Sequence, residues 1–257
     1  MKVVFFGTAG AVQSASDDNV CFALRAEGCS LLVDASDSPV HNLLKAGFDP
    51  LALDALVLTH SHTDHIYGVP SLIHNLWLMK RAMPLKIISN APTAAKTGEL
   101  LELFGLPGKE GMFRIEWIDG EKAVTKISSS LAVALFAVRH SVPTSGVRIG
   151  EGGAAFVYTA DTAPFDGVIA AARGCQLLIH EASGDSSREK HLNQAGHSSA
   201  RQAGRAAAQS GVGRLFICHF DYFSGPPPEE LRKEAQVSFK GEVVVPERFR
   251  EYDIRYA

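Results

Sequence analysis

At 257 residues the chain is long enough for one large domain or two small ones, and 46% hydrophobic residues supply a sizeable core. A formal net charge of −3, with no extended run of Lys or Arg, argues against a standing electrostatic grip on nucleic acid. Cys21, Cys29, Cys175 and Cys218 show no C-x-x-C spacing and read as small core residues of a reducing compartment. No leader-like start and no apolar stretch of bilayer length is seen, so the expectation is a cytoplasmic protein without membrane contact, built as one domain over 1–257.

In chain order, residues 2–6 form an apolar run closed by Gly7-Thr8-Ala9-Gly10, whose glycines fit a tight turn better than a phosphate-cradling loop. Residues 20–25 and 29–34 read as two more strands joined by a Glu27-Gly28 turn, followed by a helix over 40–46, a loop over 50–54 and a strand over 55–59. Asp34, between strand and helix, can begin a turn, cap the helix or support a metal ligand. Apolar residues from Ile66 to Met79 or Lys80 fall near helical spacing and predict a helix starting close to His65, with His74 a structural or surface histidine. Then come a strand over 85–89, a helix over 93–104, and strands over 113–118, 123–127 and 131–138. Residues 146–149 and 154–159 predict a hairpin, 165–173 a helix, 176–179 a strand, 197–210 an Ala-rich helix and 214–218 another strand. A short helix over 229–235 and an edge strand and tail to 257 complete the chain.

Two strand series, each alternating with helices, predict two mixed sheets packed face to face with helices on the outer faces. The ligand-type residues fall mostly at strand ends. His60, His62, Asp64 and His65 crowd six positions after the strand over 55–59, His140 and Asp161 follow strands, and His219 ends the last apolar one. Four such side chains in one turn would pack costly polar groups together without compensation unless they hold a metal. Imidazole and carboxylate without thiolate favour Zn²⁺, Mn²⁺ or Fe over a structural thiolate zinc site, with Zn²⁺ or Mn²⁺ expected here, and two divalent ions about 3.5–4 Å apart can polarise a phosphoryl or acyl oxygen and activate water.

The run Thr59-His-Ser-His-Thr-Asp-His65 resembles the H-x-H-x-D-H motif of the metallo-β-lactamase fold superfamily, with the later single residues in the expected order His, Asp, His. The resemblance implies an αββα sandwich with a dinuclear site. His60, His62 and His140 would hold one metal, Asp64, His65 and His219 the other, and Asp161 would bridge them, with Asp64 also orienting the attacking water.

The fold does not decide the reaction. His140-Ser-Val-Pro-Thr-Ser-Gly146 resembles the H-x-V-P-x-x-G segment of the ribonuclease Z branch, Ile179-His180-Glu181-Ala182-Ser183 resembles its H-E-A-T segment, and Gly196-His197-Ser198 resembles its H-S-T segment. By that resemblance Glu181 and His197 lie near the metals, His197 protonating the leaving oxygen or binding the scissile phosphate. A histidine suits an alkoxide leaving group because its pKa is near neutral. The glycine- and basic-rich arm common in this branch is absent, and Ala-Ser-Asp follows Asp34 where the branch usually has C-G-E-G-T. The expected activity is therefore phosphodiester cleavage, on an RNA 3′ end or a small cyclic phosphodiester, by a chain that the branch's habit makes a candidate homodimer. A thioester or lactone hydrolase and a non-catalytic metal-binding protein are the alternatives.

Overall fold

The computed structural model describes residues 1–26 and 28–254, so the Glu27 half of the expected turn and the last three residues of the tail lie outside the described residues. The first sheet is formed by β1 (Lys2–Gly7), β2 (Cys21–Ala26), β3 (Cys29–Val33), β4 (Ala55–Val57), β5 (Leu85–Ser89), β6 (Ile115–Asp119) and a C-terminal strand, Glu251–Asp253, that pairs beside β1. The second is built from β7 (Thr125–Lys126), β8 (Leu131–Ala137), β9 (Ser145–Glu151), β10 (Ala154–Tyr158), β11 (Leu177–Glu181), β12 (Arg214–Cys218) and β13 (Glu242–Val244), which makes the Glu251–Asp253 strand β14.

Three apolar layers hold these sheets between helices. Alternation along β3 and β4 sends Leu31, Val33, Ala55 and Val57 toward Phe156, Tyr158, Ile179 and Phe216 of the second sheet. Leu32 and Leu56 point the other way, toward Leu72, Ile73 and Leu76. On the far side, Val157, Leu178 and Ile217 pack under Ala200, Ala203 and Ala207. Strands covered on both faces read as continuous apolar runs, which is why β4, β11 and β12 show little polar alternation. The result is the expected four-layer αββα sandwich of α/β class, with α1 (Pro39–Lys45), α2 (Thr63–Ile66), α3 (Val69–Leu78) and α4 (Ala91–Leu103) in the first half. The second half contributes α5 (Asp166–Ala172), α6 (Glu189–Ala195), α7 (Ala200–Ser210) and α8 (Pro228–Ser238).

Several local expectations change. The helix expected from His65 to residue 80 is two helices, because Pro70 lacks the N–H that a continuous helix needs and sits in the first turn of α3. The 197–210 helix begins only at Ala200: Ser199 accepts from Gln202 N at 3.1 Å while the Gln202 side chain accepts from Ser199 N at 2.9 Å. This reciprocal cap is worth about 1 kcal/mol and leaves His197 in the preceding loop. The 50–54 loop contains a turn of 3₁₀ helix over Pro50–Ala52, the 123–127 strand shrinks to two residues, and α6 lies in a polar stretch where no element was expected.

Topology explains where the site is. β3, β4, β5 and β6 run parallel, as do β10, β11, β12 and β13, and β8 points the same way as β10 because both are antiparallel to β9. Their carboxyl ends open on one rim, the usual place for a site in such sheets.

Candidate metal centre

That rim gathers Asp34 just after β3, His60 three residues past β4, His140 past β8, Asp161 past β10, Glu181 at the end of β11 and His219 past β12. His62 precedes α2, whose single turn carries Asp64 and His65. Asp34, Ala160 and His219 have φ of 57°, 54° and 61°, so left-handed backbone recurs where the strands turn into the site.

Two groups of side chains converge there. His60, His62, His140 and Asp161 offer ligand atoms within 4.8 Å of one another, and so do Asp64, His65 and His219. His62 Nδ1 is 3.1 Å from both His60 Nε2 and His140 Nε2. Asp161 Oδ2 lies 3.7 Å from His60 Nε2 and 3.8 Å from His140 Nε2 on one side, and 3.6 Å from His65 Nε2 and 3.1 Å from His219 Nε2 on the other. Asp64 Oδ2 is 3.4 Å from His65 Nε2 and 3.7 Å from His219 Nε2. Donor atoms bound tetrahedrally at about 2.1 Å stand roughly 3.4 Å apart, so these separations suit a shared cation.

The tautomers point the same way. His140 Nδ1 donates to the Gly196 carbonyl at 2.8 Å, and His65 Nδ1 donates to Asp34 Oδ2 at 2.8 Å. The Thr59 hydroxyl donates to Asp34 at 3.0 Å and so accepts from His60 Nδ1, also at 3.0 Å. The Ser183 hydroxyl donates to Glu181 Oε2 at 2.8 Å and accepts from His219 Nδ1 at 3.0 Å. In neutral imidazoles so arranged, four inward Nε2 atoms carry lone pairs. Buried His65 Nε2, His219 Nε2 and Asp161 Oδ1 have no hydrogen-bond partner, an expensive state unless a cation meets them. Asp34 thus supports His65, and the helix-cap alternative falls away because Ser38 precedes α1.

The electrostatics separate the two groups. Burial pushes His60, His62 and His140 down, keeping them neutral. Burial opposes charge on His65 and His219 as well, but Asp161 and its neighbours outweigh it and lift His219 to about 10. Asp64 and Asp161 resist burial and are held below the usual carboxylate range by His65 and His219. No Lys or Arg enters the ionic contacts of this cluster among the described residues. Protons, or divalent ions in their place, must balance the carboxylates.

Glu181, expected near the metals, stands behind His197 and Ser183 at the edge of the cluster. Its Oε1 accepts from Thr162 N at 2.6 Å and His197 Nδ1 at 3.0 Å, and its Oε2 from Ser183 Oγ and from Ser198 N at 3.1 Å. Both oxygens are thus engaged, one of them by His197. The His197 ring lies 4.9 Å from His140 and stacks 5.3 Å from His219, and one of its ring nitrogens comes within 4.8 Å of ligand atoms of Asp161 and His219, a third group that overlaps the other two. Burial disfavours its charge, yet Glu181 raises its pKa overall. Thr59, Ser183 and Gly196 escaped the sequence reading as supports. Only Thr59, adjoining His60, carried a local clue.

Residues 30–220 match the beta-lactamase superfamily domain. The chain belongs to that superfamily. It is a metal-dependent hydrolase of this fold, and the side chains gathered at the rim of the sheets are ones that could hold a divalent ion. Ribonuclease Z of Halorubrum lacusprofundi is 27% identical over an alignment covering 96% of this chain and 95% of the relative. That alignment runs over 300 positions against 257 residues, so the relative carries segments missing here. The metallo-β-lactamase fold protein YhfI of Bacillus subtilis superposes with a TM-score of 0.82 at 25% identity, covering 98% of both chains. The short form of human tRNase Z gives 0.79 at 23% identity, covering 99% of both, and supports the fold alone. Among the described residues, no helix is long and apolar enough to cross a membrane.

Proposed function

We propose that this hydrolase cleaves phosphodiester bonds with two divalent ions, Zn²⁺ or Mn²⁺, one held by His60, His62 and His140, the other by Asp64, His65 and His219, with Asp161 shared. Such ions polarise a phosphoryl oxygen and activate water at neutral pH. The lone-pair pattern and the orphaned buried atoms support that fit.

The observation that carries the reading is the Glu181–His197 pair beside the cluster. An alkoxide leaves poorly unless it receives a proton, whereas a thiolate leaves without one, so an imidazolium next to the centre favours an oxygen leaving group. His197 Nε2 is the proton donor in this reading, and Glu181 keeps the ring oriented and charged. Asp64 orients the attacking water. The similarity to ribonuclease Z favours phosphorus over a lactone carbonyl as the electrophile. The cavity over the centre, about 600 Å³, is lined by Ala11, Gln13, Asn19, Thr63 and Tyr67 besides the cluster, with no Lys or Arg among the described residues that line it, which favours a small phosphodiester over a long RNA.

The test is turnover of bis(p-nitrophenyl) phosphate by Zn²⁺- or Mn²⁺-loaded protein beside an acyl thioester. Phosphodiester cleavage with little thioester cleavage is expected, and the reverse preference overturns the reading.

A further inference from the structure

A second and larger cavity, about 990 Å³, runs along the outer layer between α3 and α4. One wall is Ile66, Tyr67 and Pro70, and the other is Leu100, Leu103 and Phe104. Leu103, the last residue of α4, and Phe104 just after it are 78% and 59% exposed, although neighbouring Leu101 is buried in the layer between helices and sheet. Such a contiguous apolar surface calls for a ligand or a partner.

Two observations favour a ligand of the metal centre. Thr63 and Tyr67 line both this groove and the cavity over the metal centre, so the two adjoin each other across these side chains. The inner cavity is walled mostly by ligand-type and polar side chains, with Ala11 and the Tyr67 ring as its apolar surface, so it suits a phosphate and offers an apolar substituent less than the groove does. The groove has the complementary lining and lies within the ordinary size range of small-molecule sites. Its charge does not suit a polyanion, because Lys96 is already paired with Glu99 at 3.3 Å and Lys109 lies over the Trp77 ring at 5.0 Å. From Ile66 to His74 the groove follows eight residues of mostly helical chain, about 12 Å, long enough to admit an aryl-sized group with room to spare.

We propose that the groove between α3 and α4 is the substrate-selecting subsite of this enzyme, taking an apolar, aryl-sized substituent of a small phosphodiester whose phosphate sits on the metal centre. The proposal rests on the phosphodiesterase reading for the identity of the anchoring group. Leu103 and Phe104 are specificity residues in it, and Tyr67 forms the threshold between the two cavities.

The experiment is equilibrium binding, by calorimetry, of diphenyl phosphate, dimethyl phosphate and inorganic phosphate to the metal-loaded protein, Leu103→Asp and Phe104→Ala. Both side chains are exposed, so the variants are expected to fold, with unchanged thermal unfolding as the control. In the unaltered protein diphenyl phosphate should bind about tenfold or more tighter than dimethyl phosphate. Each substitution should shrink that preference severalfold while leaving inorganic phosphate affinity unchanged. An equal preference in all three proteins overturns the proposal. So does a second copy of the chain covering the groove, seen by sedimentation as a dimer that Leu103→Asp dissociates. Failure of the phosphodiesterase reading is seen separately, as absent phosphodiester turnover by the unaltered protein whatever the binding preference.

Discussion

In the first sheet a single stretch of six residues, from His60 to His65, carries four candidate ligands; in the second, β8, β10 and β12 each bring one, His140, Asp161 and His219. The first group is set by local chain geometry, with His62 before a one-turn helix that places Asp64 and His65, and Asp34 bracing His65 from behind. The second exists only because parallel strands end on the same rim. Sequence-local clusters therefore tolerate small movements of the sandwich, while the second group depends on sheet registry and on the loops that turn each strand over.

The strongest way to break this comparison is at the residue between the groups. Asp161→Ala should release metal from both and lower phosphodiester turnover on the order of a thousandfold, whereas His62→Ala should spare part of the metal; metal content per chain measured by mass spectrometry distinguishes them. Equal metal loss in the two variants would remove Asp161 from its shared position.

Next in size is Glu181→Gln, which leaves every proposed ligand in place. Turnover of alkyl phosphodiesters should drop by roughly a hundredfold with metal content unchanged, and the His197 imidazole, followed by NMR, should titrate lower than in the unaltered protein. Unchanged titration would show that Glu181 does not act through His197.

Asp34→Asn probes the local support in the first half and should weaken metal affinity about 10- to 100-fold, read by competition with a chelator. The pH dependence has a defined sign. His219, at about 10, holds a proton in the metal-free protein at neutral pH, and an ion can enter only as that proton leaves. Affinity should therefore rise with pH up to about 10, with proton release detected by calorimetry in buffers of differing ionisation enthalpy.

The smallest effect tests a loop. Gly196 has φ of 86°, and a Cβ there would come 2.8 Å from His140 Nδ1, the atom that donates to its carbonyl. Gly196→Ala should cost about 1–2 kcal/mol in thermal unfolding and weaken the group containing His140 more than the one containing Asp64.

These contrasts also explain what could be read in advance. The crowding of His60, His62, Asp64 and His65 cannot be hidden by folding, and the double-faced apolar strands reveal the layered sandwich. His140, Asp161 and His219 are single polar residues after ordinary strands, marked as candidates by their place at strand ends and assigned together only through the order of a known motif. Asp34 stayed ambiguous because an aspartate after a strand serves turns, caps and ligands equally well; the distance to His65 decides it. Glu181 and His197 lie in adjacent motifs, but whether the carboxylate meets the metals or the imidazole depends on two separate loops, one after β10 and one before α7, whose Thr162 and Ser198 backbone amides claim its oxygens. The capping box at Ser199 and Gln202 was present in the sequence, and it places His197 outside α7, free to face the centre.

The central claim, that this metal centre works with a histidine that protonates an oxygen leaving group, is tested most directly by the rates of a series of phosphodiesters with leaving alcohols of increasing pKa, in the Zn²⁺-loaded protein and in His197→Ala. The account predicts a shallow dependence in the unaltered protein, a steep one in the variant, and near-equal rates for p-nitrophenol, which leaves without help. Parallel dependences in the two proteins would contradict it.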